Sequence, residues 1–145
     1  MIISKITSKD IQSVAQLANI MWSNSTIEEL ESDFKEIMKD KNVVVFVATE
    51  KEEVVGFAQC QLRYDYVEGT NSSPVGYLEG IFIRQECRHK GYAKELLKYC
   101  EKWSVEKGCK EFASDCELTN ETSFKFHLSM GFSEANRIIC FTKQL

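Results

Sequence analysis

Arg88-His89-Lys90-Gly91-Tyr92-Ala93 stands between an apolar, strand-like run from Gly76 to Ile83 and a helix-like stretch, a setting in which bare backbone N–H groups can meet an anion. Glycine lets the chain approach a ligand closely. The first turn of a helix also carries unpaired N–H groups at the positive end of its dipole. The chemistry on offer is the holding of a phosphate, although a glycine that only turns the chain from strand to helix would look the same. Two carboxylates stand nearby. Glu79 interrupts Tyr77-Leu78-Glu79-Gly80-Ile81-Phe82-Ile83, where an ionised group is costly unless it has a task or faces outward by strand alternation. Asp115 ends a short strand before a loop, where a turn or capping aspartate would also sit.

These residues need a scaffold, and 145 residues with 43% hydrophobic content suit one domain over 1–145 with a real core. A formal charge of −4 argues against nucleic acid as the partner and suits a cationic substrate. The six cysteines, at 60, 87, 100, 109, 116 and 140, form no Cys-x-x-Cys, and His89 and His127 are the only histidines, so no metal is expected. The chain starts without an apolar core of signal-peptide length, and no apolar run is long enough to span a bilayer. The expectation is a cytoplasmic protein with reduced thiols and no membrane.

The spacing predicts a first strand at Ile2, Ile3 and Ile6, then a helix through Ile11, Val14, Ala15, Ala18, Met21 and Trp22. Thr26-Ile27-Glu28-Glu29 reads as a capping box opening a second helix, whose Glu28, Glu31, Asp33 and Glu36 read as its wet face. Val43–Thr49 and Val54–Arg63 read as strands joined by a polar hairpin turn, and Glu68–Pro74 as a loop into strand four. Helix three carries Ala93, Leu96, Leu97, Cys100 and Trp103 or Ser104 on one face and a row of lysines on another. Glu111–Ser114 reads as a short strand, Ser123–Met130 as a short helix, and Asn136–Lys143 as a last strand. The fold class is a mixed α/β sheet with helices covering it.

The spacing Arg-x-x-Gly-x-Ala, with Asn120-Glu121-Thr122-Ser123 and then Gly131-Phe132 further on, resembles the GCN5-related N-acetyltransferase (GNAT) superfamily. The resemblance implies a sheet whose parallel strands four and five splay apart to take the pantetheine arm of acetyl-CoA. It implies cofactor contacts from the backbone of Ile81, Phe82 and Ile83, from Arg88, His89, Lys90, Gly91, Tyr92 and Ala93, and from Asn120. Longer stretches are similar to the aminoglycoside 6'-N-acetyltransferases: Met21-Trp22, Arg63 to Gly69, Ser72 to Val75, Leu78 to Ile81 and Phe112 to Asp115. That likeness implies an antibiotic site at Trp22, Tyr66, Glu79 and Asp115, with carboxylates for ammonium groups and aromatic faces for sugar rings. Glu79 would orient the 6'-amine and take its proton, while Gly80 would permit a bulge that aims an N–H at the thioester oxygen.

Two positions depart from the family pattern. His127 stands where many members have a tyrosine that protonates the coenzyme A thiolate. Imidazole suits that task, and a packing histidine beside Phe124 and Leu128 is the other reading. Asn136 stands in the antibiotic site where related enzymes have an acid. Cys116, beside Asp115, reads as a bystander to direct transfer in a ternary complex. Homodimers are common in the branch, so a homodimer is expected. The rival functions are acetylation of another amine, such as a polyamine or peptide N-terminus, and a non-catalytic acyl-CoA-binding module.

Overall fold

Alternation along the second strand decides the layering. A computed structural model describes residues 1–145. Its strands are β1 (Ile2–Lys5), β2 (Val43–Glu50), β3 (Glu53–Arg63), β4 (Val75–Ile83) and β5 (Phe112–Ser114), and its helices are α1 (Ile11–Met21), α2 (Ile27–Ile37), α3 (Tyr92–Glu106) and α4 (Glu121–Ser129). Val45 and Val47 of β2 pack with Phe57 of β3 under α1 and α2, while Val44, Phe46 and Ala48 face α3 on the other side. A strand buried on both faces reads as a continuous apolar run, as Val43-Val44-Val45-Phe46-Val47-Ala48 does.

The five strands lie in sequence order. All neighbours are antiparallel except β4 and β5, which run parallel through Gly76–Phe112, Tyr77–Ala113 and Leu78–Ser114. Lys51 and Glu52 both take positive φ, the geometry a two-residue hairpin needs between β2 and β3. The capping box at α2 is formed: Thr26 Oγ1 accepts from Glu29 N at 3.1 Å, and Glu29 Oε2 accepts from Thr26 N at 3.4 Å. On α3 both Trp103 and Ser104 are buried with Leu96, Leu97 and Cys100, and Lys94, Lys98 and Lys102 stay exposed.

The expected last strand over Asn136–Lys143 is absent. From Ser133 onward the chain has neither strand nor helix, and Ile139 and Phe141 are 81% and 88% exposed. A strand exists only against a partner edge, and β5 offers three residues. The tail's side-chain holds on the rest of the chain include the Asn136 amide, which donates to Glu68 Oε1 at 2.8 Å, and the Arg137 guanidinium, 5.8 Å from the centre of the Phe124 ring.

Gly76 sets how closely α3 approaches the sheet. A Cβ at that position would collide with the Ser104 hydroxyl, and would lie 2.6 Å from Ser104 Cβ and 2.8 Å from a Phe112 ring carbon. Gly76→Ala is therefore expected to cost about 1–3 kcal/mol by overpacking. Urea denaturation should show a lower midpoint with an unchanged slope.

Candidate active site

Glu79 is the extra residue of a β-bulge. Gln59 of β3 pairs with Gly80, and the next residue, Cys60, pairs with Leu78, so Glu79 has no partner in the register. A bulge bends its strand and re-aims a side chain. The carboxylate is thereby held half-buried instead of being driven into the core beside Leu78. Beyond the bulge β4 continues to pair with β3 through Ile83, but its pairing with β5 has ended at Leu78. The edge from Glu79 to Ile83 that faces β5 therefore has no strand beside it, which is the gap expected between splayed parallel strands.

Around Glu79 the structure gathers residues from four elements. Trp22 caps the end of α1 and lies against Gly80, where a Cβ would come within 2.6 Å of the indole. Gly80 is thus required by close approach. Arg63, the last residue of β3, donates from Nε and Nη2 to Glu79 Oε1 at 3.0 and 2.9 Å, and from Nη2 to Oε2 at 3.0 Å. Its guanidinium lies 3.4 Å from the centre of the Tyr77 ring. Tyr77 in turn donates a short hydrogen bond to Asp115. Burial, and then this bond to a carboxylate, push the Tyr77 hydroxyl well above the usual phenol range, so it stays protonated as a donor.

Trp22 also borders a cleft of about 440 Å³ shared with Gln59 and with Asp33 and Glu36 of α2. Those two carboxylates, read from sequence as solvated surface, line this cleft. Tyr66 and Asn136 are not drawn into this cluster. Tyr66 is 77% exposed in the loop before β4, and Asn136 bonds Glu68 in that same loop.

His127 is fixed between α4 and β5. Its Nδ1 lies 2.7 Å from the Ser123 carbonyl, which only accepts, so this nitrogen carries a proton. Its Nε2 lies 2.7 Å from Ser114 Oγ, on the last residue of β5 to pair with β4. Asn120 caps α4, its side chain accepting from Ser123 N at 3.1 Å. Cys116 bonds no histidine, and no three His, Cys, Asp or Glu side chains are grouped to hold a metal.

The loop from Arg88 to Ala93, read from sequence as able to hold a phosphate, has the backbone such a site needs. His89 and Gly91 take positive φ, and Gly91 is the N-cap of α3. A Cβ at Gly91 would meet no atom within 4 Å, so the space in front of the first turn is open. The N–H groups of Tyr92, Ala93 and Lys94 have no helical acceptor ahead of them. Arg88 ties the loop to the end of β4, its Nε donating to the Ile83 carbonyl at 3.0 Å. Glu50, at the end of β2, ties it from the other side: it accepts from the Tyr92 hydroxyl at 2.7 Å and pairs with Lys90 at 3.5 Å. The Tyr92 bond, opposed next by burial and helped by the Lys90 charge, holds the Glu50 carboxyl below its ordinary range. An anion-holding loop and an open strand edge in this order fit a coenzyme A pyrophosphate and its extended arm.

The acetyltransferase (GNAT) family model matches residues 11–132. The chain belongs to this family. Its relatives include the aminoglycoside N(6')-acetyltransferase type 1 of Salmonella typhimurium, 37% identical over 124 residues and covering 86% of each chain. That of Serratia marcescens is 35% identical over 130 residues, covering 89% of each. AAC(6')-Iy, solved in complex with the bisubstrate analogue CoA-S-monomethyl-acetylneamine, superposes with a TM-score of 0.95 at 33% identity over 99% of this chain and 98% of that one. The apo 6'-N-acetyltransferase AAC(6')-IG of Acinetobacter haemolyticus gives 0.96 at 30% identity over 100% and 99%.

Sequence reasoning missed Arg63, Tyr77, Ser114 and Glu50. Arg63 alone left a signal, as the last of the alternating polar positions Gln59, Gln61 and Arg63 between the buried Cys60 and Leu62. Glu50 generates a test of the cofactor loop. Glu50→Gln should weaken acetyl-CoA binding by roughly threefold to tenfold, read by isothermal titration, because the loop loses a charged acceptor outside the ligand contacts. A carboxyl held low contributes above its unfolded pKa and loses that contribution as pH falls through the folded one. The difference between variant and wild type should therefore shrink in acid.

Proposed function

We propose that residues 1–145 form one acetyltransferase domain that moves the acetyl group of acetyl-CoA to the 6'-amine of aminoglycosides, directly and within a ternary complex. The observation that carries this reading is the bulge at Glu79, which stands a carboxylate at the head of the open β4 edge, beside Trp22 and linked to Asp115. The names of the full-length relatives support the choice of acceptor. Glu79 takes a proton from the bound ammonium, which has no lone pair until it does so. Asp115 holds a second ammonium, Trp22 offers an aromatic face, and the exposed Tyr66 and Asn136 contribute from the rim. A backbone N–H of β4 meets the developing oxyanion. His127 supplies the proton for the departing thiolate. Acetylation replaces a charge with a neutral amide, which weakens a polycationic drug's hold on RNA and gives resistance.

Coenzyme A release should be measured with neomycin, which carries a 6'-amine, with paromomycin, which carries a hydroxyl there, and with spermidine. Turnover is expected on neomycin alone, with mass spectrometry finding the acetyl group on the 6'-nitrogen. Glu79→Gln should lower kcat/KM by roughly 10²- to 10⁴-fold while leaving acetyl-CoA binding intact. Turnover on spermidine in preference to neomycin would overturn the choice of acceptor.

The same reading includes a homodimer in a reducing, cytoplasmic setting. The six free thiols, four of them buried, suit that setting, and the exposed Ile138, Ile139 and Phe141 form an apolar segment that a second copy would cover. Light scattering should give a dimer for the full chain and a monomer for a chain ending at Ala135. A monomeric full chain would refute this part of the reading.

A further inference from the structure

Arg63 brings a positive charge into the midst of a site for cations. A site built only to bind ammonium groups would exclude it. Yet Arg63 is held by three short N–H contacts to Glu79 and by its stack on Tyr77, which is buried and tied to Asp115. We propose that Arg63 is a positioning residue that makes the acceptor nitrogen reactive. Its fixed charge lowers the proton affinity of an amine seated at Glu79, and its fork leaves one direction on Glu79 Oε2 open to receive the amine's proton. The proposal rests on the acetyltransferase reading above.

Lone-pair geometry supports the second half of this statement. An ionised carboxylate offers about four acceptor directions. Arg63 takes two on Oε1 and one on Oε2. Charge supports the first half. Two carboxylates, Glu79 and Asp115, less one guanidinium leave a single negative charge, enough to keep one ammonium charged at Asp115 while the nitrogen seated at Glu79 gives up its charge. A neighbouring cation is a known way to hold an amine in its nucleophilic form. The protons balance: the ammonium yields one to Oε2, and the freed pair forms the C–N bond. The C–S bond breaks, and the second proton lost by nitrogen matches the one gained by sulfur.

Few other titratable groups face the pair. Tyr77 and Asp115 come from β4 and the end of β5, and Cys60 of β3 lies behind with Cys100 of α3. Toward the pair, His127 of α4 extends as far as Ser114, which bonds the Leu78 carbonyl. From the other side, α1 carries no charged residue from Ile11 to Met21, and Asp33 and Glu36 of α2 line the cleft that Trp22 and Gln59 border.

The test is the pH dependence of kcat/KM for neomycin in wild type, Arg63→Gln and Arg63→Lys, each first shown by titration to bind acetyl-CoA. Removing a positive charge raises the pKa of both a nearby carboxylate and a nearby ammonium, so both effects move the acid limb upward. Arg63→Gln should shift that limb up by about 1–2 pH units, with roughly tenfold loss per unit below it and recovery toward wild type in alkali. Arg63→Lys keeps the charge and should keep the limb, with a lower plateau because the fork is gone. A folded Arg63→Gln enzyme with an unshifted limb, or a Lys variant shifted as far as the Gln variant, would overturn the proposal while wild-type turnover upheld the reading beneath it. A wild-type chain without turnover would overturn both.

Discussion

From Glu79 to Ile83, β4 is hydrogen-bonded along one edge only, and the site is organised around that open edge. Backbone N–H and C=O groups at the middle of a sheet need partners, and a strand that ends its pairing inside the molecule reserves those groups for something else. The bulge at Glu79 marks where pairing stops and also aims the carboxylate, so one local irregularity separates the two strands and places the acidic group. Gly80 follows because Trp22 lies across it. Gly91 stands at the far end of the same gap, beyond the end of β4, where its left-handed backbone starts α3 with free N–H groups. The open β4 edge thus runs between the carboxylate at Glu79 and the free N–H groups at the start of α3.

Charge in the site is paired in advance. Glu79 is engaged by Arg63, Asp115 by Tyr77, and Glu50 by Tyr92 and Lys90. Each carboxylate is therefore oriented before a substrate arrives, which reduces the ordering that binding would otherwise require. The arrangement also explains the position of two tyrosines that serve as struts. Tyr77 links Glu79 and Asp115 through the arginine stacked on it. Tyr92 contributes its ring to the core under α3 and its hydroxyl to the tether of the phosphate loop.

Short-range features were legible in the sequence. The apolar run of β2, the capping box at Thr26, the stripe of α3 and the glycine before it each depend on residues a few positions apart, where spacing and local geometry decide the outcome. Glu79 was legible for a related reason: an ionisable group amid apolar neighbours is conspicuous whatever the fold. The last strand misled, because the alternation of Ile138, Cys140 and Thr142 supplies one half of a pairing and says nothing of whether an edge exists to receive it.

By itself the sequence determined the elements up to α4, the order in which they occur, the glycine turn that opens α3 and the position of a costly carboxylate within β4. Only the tertiary structure decided that Glu79 is the bulged residue, that Arg63 reaches it from the neighbouring strand, that Tyr77 meets Asp115, and that Glu50 holds a loop 40 positions further along the chain. These depend on register and on the closeness of layers. A shift of one residue between β3 and β4 would send Arg63 to the opposite face, and no spacing along a single chain encodes which way that register falls.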